Sequence, residues 1–212
     1  MPADFNLNEF LMRMAALVIC ITIHEFAHAY SAYRAGDNTP KLQGRISLNP
    51  LDHLDPFGTI MIVVSNYAHV GFGWGKPVMV NHLKFRHPRR DNLMVSLWGP
   101  LSNILTAVVT GTALRFLEPH MGKNVADFIW IITLASIGLA IFNLIPIAPL
   151  DGSHIISSML PYESARRYDY FMARYGMLMF LGLIFLAPDV LWRVIGPPRA
   201  FLVHLLTGYS IG

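Results

Sequence analysis

Two histidines four residues apart, with a glutamate next to the first, form the stretch His24-Glu25-Phe26-Ala27-His28. On an α-helix, residues i and i+4 share a face, with Cβ atoms about 5–6 Å apart. Two imidazoles so placed can reach one Zn²⁺ at about 2.0–2.1 Å. The glutamate beside them can act as a base on water held by the ion. The chain has nine His among 212 residues, and chance placement of this pattern predicts roughly 0.007 matches. The competing reading is a pair of histidines bonded to neighbouring helices, with Glu25 in a polar network. It leaves a cost unexplained. The segment 10–33 around the motif is apolar enough to span a bilayer, and an acidic group near the middle of a spanning helix costs about 2.5–3.5 kcal/mol. Ionisable groups at that depth are functional candidates, so the motif points toward hydrolysis within the membrane.

A catalytic zinc takes three protein ligands and keeps one position open, so a third ligand must come from elsewhere. Asp151 is the candidate, in Asn143-Leu144-Ile145-Pro146-Ile147-Ala148-Pro149-Leu150-Asp151-Gly152. Each proline removes a backbone donor and breaks the helix, and Gly152 permits a tight turn or a close backbone approach. The alternative makes Asp151 a helix cap at the lipid surface. Asn143 could bond a substrate carbonyl or the oxyanion formed during attack. Asn103, in Gly99-Pro100-Leu101-Ser102-Asn103, could line the cavity or bond between helices. His53 could be a further ligand or structural. His69, His82, His87, His120, His154 and His204 lack partners at metal spacing and read as loop or interface residues.

The elements that must position these residues are membrane helices. The chain is 54% apolar and 14% charged, with mean hydropathy +0.45, against about 25% charged in soluble domains. The net charge of +3 is no nucleic-acid signature. The single cysteine, Cys20, lies in the first span and reads as packing. Residues 1–9 carry Asp4 and Glu9 without Lys or Arg, unlike a secretory signal. Crossing about 30 Å of hydrocarbon takes roughly 20 apolar residues. That predicts spans at 10–33, 93–117, 127–150 and 170–195, and a possible short C-terminal helix at 200–210. The apolar stretch 57–70 is too short for a confident span.

Lys76, Lys84, Arg86, Arg89 and Arg90 place the loop 71–92 in the cytosol, Arg166 and Arg167 do the same for 152–169, and 118–126 is external. The first span then runs inward and carries the histidines toward the cytosolic side. If 31–56 and 71–92 are both cytosolic, 57–70 must be a re-entrant or half-depth helix, with a short complete crossing as the alternative. Leu42, Ile46 and Leu48 around Gly44 suggest a small β-hairpin or a turn at 39–49, whose edge could pair with an extended substrate. A plain connecting loop is the other reading. The expected fold is an all-α polytopic bundle of four to six transmembrane helices with a β-hairpin or re-entrant element after the first, residues 1–212 forming one membrane-embedded domain.

With both motifs in view, the chain resembles the site-2 protease family of intramembrane zinc metalloproteases. The likeness rests on 24–28 and 143–152. It extends to Gly99–Asn103, to Gly44-Arg45-Ile46-Ser47-Leu48-Asn49-Pro50 and to His53-Leu54-Asp55-Pro56-Phe57-Gly58-Thr59, covering about 10–160. Compact prokaryotic members without PDZ or CBS domains are the closest in form. The family has Pro where Ala148 stands, a departure that bears on backbone rigidity rather than on metal binding. The resemblance implies one Zn²⁺ per chain held by His24, His28 and Asp151, with Glu25 as general base and Asn143 positioning substrate. Gly44, Asn103 and Gly152 are structural or substrate-contacting candidates. It also implies cleavage in or near transmembrane segments of membrane proteins, in the cell membrane, with the site toward the cytosol. A homo-oligomer is left open. Two other functions remain: a non-cleaving scaffold that binds membrane partners, and a metal or ion transporter.

Overall fold

The computed structural model describes residues 6–67 and 73–210. Its elements are α1 Leu7–Arg34, α2 Thr39–Leu42, α3 Pro56–Tyr67, α4 Pro88–Leu117, α5 Lys123–Asn143, α6 Asp151–Met159, α7 Tyr162–Phe185 and α8 Pro188–Thr207. Asn6 starts α1 by accepting from the amides of Asn8 and Glu9 at 3.0 and 3.3 Å, which satisfies two of the four orphan donors of a helix start. Gly36, at φ +111°, turns the chain after it.

Among the described residues, three helices are long and apolar enough to cross a membrane: α1, α4 with its extension to His120, and α5. They pack through small residues. Ala16 and Cys20 of α1 meet Ile132 of α5, and Ala107 of α4 meets Ile137 of α5 and Val203 of α8. Small side chains let helix backbones approach closely where lipid supplies no hydrophobic contrast. Hydroxyl and thiol pairs reinforce the seams, with Thr133 donating to Thr110 at 2.8 Å and Cys20 Sγ lying 3.1 Å from Ser136 Oγ.

Three expectations are corrected. The span expected at 170–195 is two helices, α7 and α8, bent by 84°. Pro188 disfavours helical backbone in the residue before it, and Ala187 sits at φ −134°, ψ 48°. Among the described residues the count is therefore three spans, or four if the bent pair is one span, at or below the lower end of the four to six expected. The helix expected at 200–210 is the end of α8. The span expected to reach 150 ends at Asn143, and irregular backbone follows through Leu150.

The third correction concerns 39–49. No strand occurs among the described residues, and the β-hairpin is absent there. Pro40 starts the one-turn helix α2, consistent with its fixed φ and missing N–H. The buried Arg45 guanidinium then donates to the carbonyls of Asp52, Lys76 and Pro77, taking acceptors that a ladder would have used. Gly44, at φ +70°, makes the turn that delivers Arg45.

One isolated antiparallel bridge joins Leu54 to Gly75. The chain that leaves through α3 is thus back where it started. At 12 residues, α3 is about 18 Å long, short of the hydrocarbon thickness. The returning segment runs against it: a methyl on Gly58 would lie within van der Waals overlap of the Trp74 carbonyl, and one on Gly73 would overlap Ile62. The end of the stretch expected at 57–70, with His69, lies outside the described residues.

Asp37 ties this returning segment to the end of α1. Its fully buried carboxylate accepts from Thr39 N and Oγ1 at 2.9 and 2.6 Å and from Asn81 N at 2.7 Å. Lys84 Nζ lies 3.7 Å away. Burial pushes the carboxyl up, but the Thr39 and Asn81 donors and the Lys84 charge outweigh it and hold Asp37 below the usual carboxylate range. A carboxyl depressed on folding stabilises above its unfolded pKa, and the contribution is lost as pH falls through the folded value. Asp37→Ala should therefore lose about 1–3 kcal/mol near neutral pH. Thermal melting in detergent should show that gap closing as the pH drops below 4; a gap that widens in acid would contradict the assignment.

Candidate metal centre

The helical spacing of α1 places His24 and His28 on one face, and both are buried, with ring centroids 4.6 Å apart at 83°. α4 sets both rings. Its residues Val95, Gly99 and Asn103 recur every four positions and face α1. His28 Nδ1 lies 2.8 Å from the Val95 carbonyl, an acceptor only, so Nδ1 carries the hydrogen and Nε2 is left with its lone pair. Asn103, fully buried, lies 3.2 Å from His24 Nδ1. Between them Gly99 presents bare backbone: a methyl there would fall 2.3 Å from His28 Nε2 and 2.8 Å from His24 Cε1.

The third donor comes from the break after α5. Pro146 and Pro149 prevent helix from continuing, and the Ala148–Pro149 peptide is cis. The loop is braced by α7, where the Tyr168 hydroxyl donates to the Pro146 carbonyl at 2.8 Å and Gly176 abuts Ala148. Gly152 lets α6 tuck under α5: a methyl on it would lie 2.3 Å from the Leu144 carbonyl oxygen and 2.4 Å from that of Ile145. Asp151, first residue of α6, is thereby aimed at α1. Its Oδ2 lies 3.1 Å from His24 Nε2 and its Oδ1 3.2 Å from His28 Nε2. The two Nε2 atoms are 3.0 Å apart.

A different carboxylate oxygen faces each ring, and the 3.0–3.2 Å separations are close to the about 3.3 Å between neighbouring ligands at 2.0–2.1 Å from a tetrahedral ion. Asp151 Oδ2 is buried and accepts no hydrogen bond among the described residues, although His24 Nε2 is close. Proximity without hydrogen-bond direction is what donor atoms show when they converge on a third centre. Two imidazoles and a carboxylate are also a donor set suited to a catalytic divalent ion with an open position. The residues fit a metal, and they are the one such cluster of His, Cys, Asp or Glu among those described.

The remaining predicted residues fall in graded order around this centre. Glu25 is half-buried beside it, next to the returning segment, where a methyl on Gly75 would lie 3.3 Å from Glu25 Cγ. Asn143 ends α5, and its Nδ2 donates to the Leu139 carbonyl at 2.9 Å, so its amide is turned to its own helix. Gly44 belongs to the Arg45 turn and makes no contact with the cluster. His53 is structural: its fully buried ring has Nε2 2.7 Å from the Ser47 carbonyl. Gly99, Gly75 and the Val95 carbonyl were missed. The adjacent poor helix formers Gly99 and Pro100 within an apolar span were the available signal for the first; a backbone carbonyl leaves none.

Comparison with known proteins bears on both halves of the centre. The pattern of "Peptidase family M50" matches residues 115–185, which hold the break and Asp151. A Bacillus subtilis protein named "Putative zinc metalloprotease YwhC" is 38% identical over 203 residues, spanning 90% of this chain and 89% of its own length. "Putative zinc metalloprotease Rip2" of Mycobacterium tuberculosis is 28% identical over 181 residues, or 85% of this chain and 69% of that protein. Its Mycolicibacterium smegmatis namesake is 28% identical over 160 residues, 74% and 60% of the two chains. No solved structure matches.

Gly99→Ala should displace both imidazoles and weaken divalent-metal binding at least 10-fold. Gly138→Ala, on α5 in open space, should leave it unchanged. Chelator-competition titration of the two variants checks this; equal affinities would show that the close approach of α4 does not shape the centre.

Proposed function

The chain belongs to peptidase family M50, and on that premise we propose that it is an intramembrane zinc metalloprotease cutting in or near transmembrane segments of membrane-protein substrates. The convergence of Asp151 with His24 and His28 is the observation that carries this reading. His24, His28 and Asp151 would hold one Zn²⁺. When bound, zinc supplies Lewis acidity, polarising a peptide carbonyl and bringing the pKa of a water toward about 7.

The chain's own residues divide the rest of the work. The Glu25 carboxylate takes the proton of the attacking water and returns it to the leaving amine. Asn143 keeps one amide N–H beyond the one given to Leu139, and that N–H suits a substrate carbonyl as it gains negative charge. Burial of the histidines and Asp151 limits water and strengthens these interactions. A helical substrate has its carbonyls bonded internally, so it must unwind locally to reach Glu25. The extended backbone at Gly75, lying against Glu25, would be the first it meets.

His24 is ten residues before Arg34, the last residue of α1, or about 15 Å along the helix. That depth along an apolar helix supports a centre inside the bilayer. Lys84 beside Asp37 and Arg86 bonded to Ala35 lie at the Arg34 end of α1, and the positive-inside rule favours the cytosol for that end. The substrate would therefore be cut at the cytosolic side of a multi-pass protein that forms one membrane-embedded domain. A scaffold without activity has no need of Glu25 beside the cluster. A transporter would need donors strung between both faces, whereas these are gathered at one depth.

Glu25→Gln in liposomes should keep zinc and lose about 10²–10⁴-fold in cleavage of a transmembrane substrate, and Asp151→Ala should lose zinc as well. Full zinc content and cleavage in Asp151→Ala would remove that residue from the site, and unchanged cleavage in Glu25→Gln would remove the base.

A further inference from the structure

We propose that Asn103 is a positioning residue for the metal centre, its carboxamide oxygen accepting the Nδ1–H of His24 and so turning the Nε2 lone pair onto the ion. The inference rests on His24 being a ligand.

Asn103 is fully buried on α4, with its Nδ2 placed 3.2 Å from His24 Nδ1. A neutral imidazole carries one hydrogen, so the partner of one ring nitrogen decides the role of the other. If the Asn103 NH₂ faces Nδ1, that nitrogen accepts, the hydrogen sits on Nε2, and His24 cannot ligate through Nε2. If the carboxamide oxygen faces Nδ1, the hydrogen sits there and Nε2 is free. Rotating the amide end for end exchanges these cases with almost no change in shape. With Nδ2 facing Nδ1, the buried Oδ1 has no hydrogen-bond partner among the described residues, an orphaned acceptor that turning the amide end for end places on the Nδ1–H.

Geometry at the cluster chooses the same way. His24 Nε2 is the nitrogen that points at Asp151 Oδ2 and His28 Nε2. His28 is already set in the same sense by an acceptor, the Val95 carbonyl, at 2.8 Å. Val95 and Asn103 lie eight residues apart on one stripe of α4. They do the same job for the two rings, one with a backbone oxygen and the other with a side-chain oxygen. Such outer partners raise ligand basicity and fix ring orientation, and losing one typically weakens metal affinity 10–100-fold.

The test is zinc affinity by chelator competition on the full chain in detergent, with His24→Ala as reference. Asn103→Leu keeps the volume and removes the acceptor, and should bind zinc 10–100-fold more weakly. Asn103→Asp restores an acceptor at the same reach, and should bind within a few-fold of the unsubstituted chain. A purely structural role would lower melting temperature in both variants without this rescue. Equal affinity in Asn103→Leu and the unsubstituted chain, or equal losses in both variants, overturns the proposal. If His24→Ala itself keeps full affinity, the ligand reading fails instead. Should Asn103→Leu not fold, ¹⁵N-histidine NMR of the zinc-loaded protein decides, since His24 must carry its hydrogen on Nδ1 and a hydrogen-free Nδ1 refutes the claim.

Discussion

The Nε2 atoms of His24 and His28 lie 3.0 Å apart, and one oxygen of the Asp151 carboxylate lies 3.1 Å from the first and the other 3.2 Å from the second. This is an expensive arrangement. A carboxylate taken out of water costs several kcal/mol before any partner repays it, and lone pairs aimed at a common point repel. Nothing local to α1 or α6 would hold them there. The surrounding structure is best understood as the apparatus that enforces the approach.

That apparatus has two arms. On one side, α4 presents the Val95 carbonyl, the bare backbone of Gly99 and the Asn103 amide to α1, so both rings are held by a single rigid helix. On the other side, the proline break ends α5 at Asn143, Gly152 allows α6 to start tightly beneath it, and Tyr168 of α7 pins the break. Small residues at the seams let α1, α4 and α5 pack closely enough for the two arms to meet. The bridge at Leu54 and Gly75 then holds the backbone of Gly75 beside Glu25. Ligand setting, base and approach path thus come from four distinct parts of the chain.

The histidine pair was legible because helix spacing converts directly into a shared face. The helix break was legible because proline's covalent geometry acts whatever surrounds it. The segment 39–49 was misread because three alternating apolar residues are too few to separate strand from turn, and because the deciding contact, buried Arg45 on distant carbonyls, is tertiary. The bend at Ala187 was hidden by an apolar run that continues on both sides of Pro188, although that proline marked it. The role of the Val95 carbonyl was out of reach, since a backbone carbonyl has no sequence signature; Asn103 was named as a cavity or interhelical residue, but its partner His24 depends on helix packing.

Extended X-ray absorption at the zinc edge of the purified, metal-loaded protein tests the central claim most directly. The account predicts two imidazole nitrogens at about 2.0–2.1 Å, with oxygen completing a shell of four and no sulfur. A spectrum with no imidazole scattering, or with one imidazole only, would show that the two helices do not close on a single ion and would contradict it.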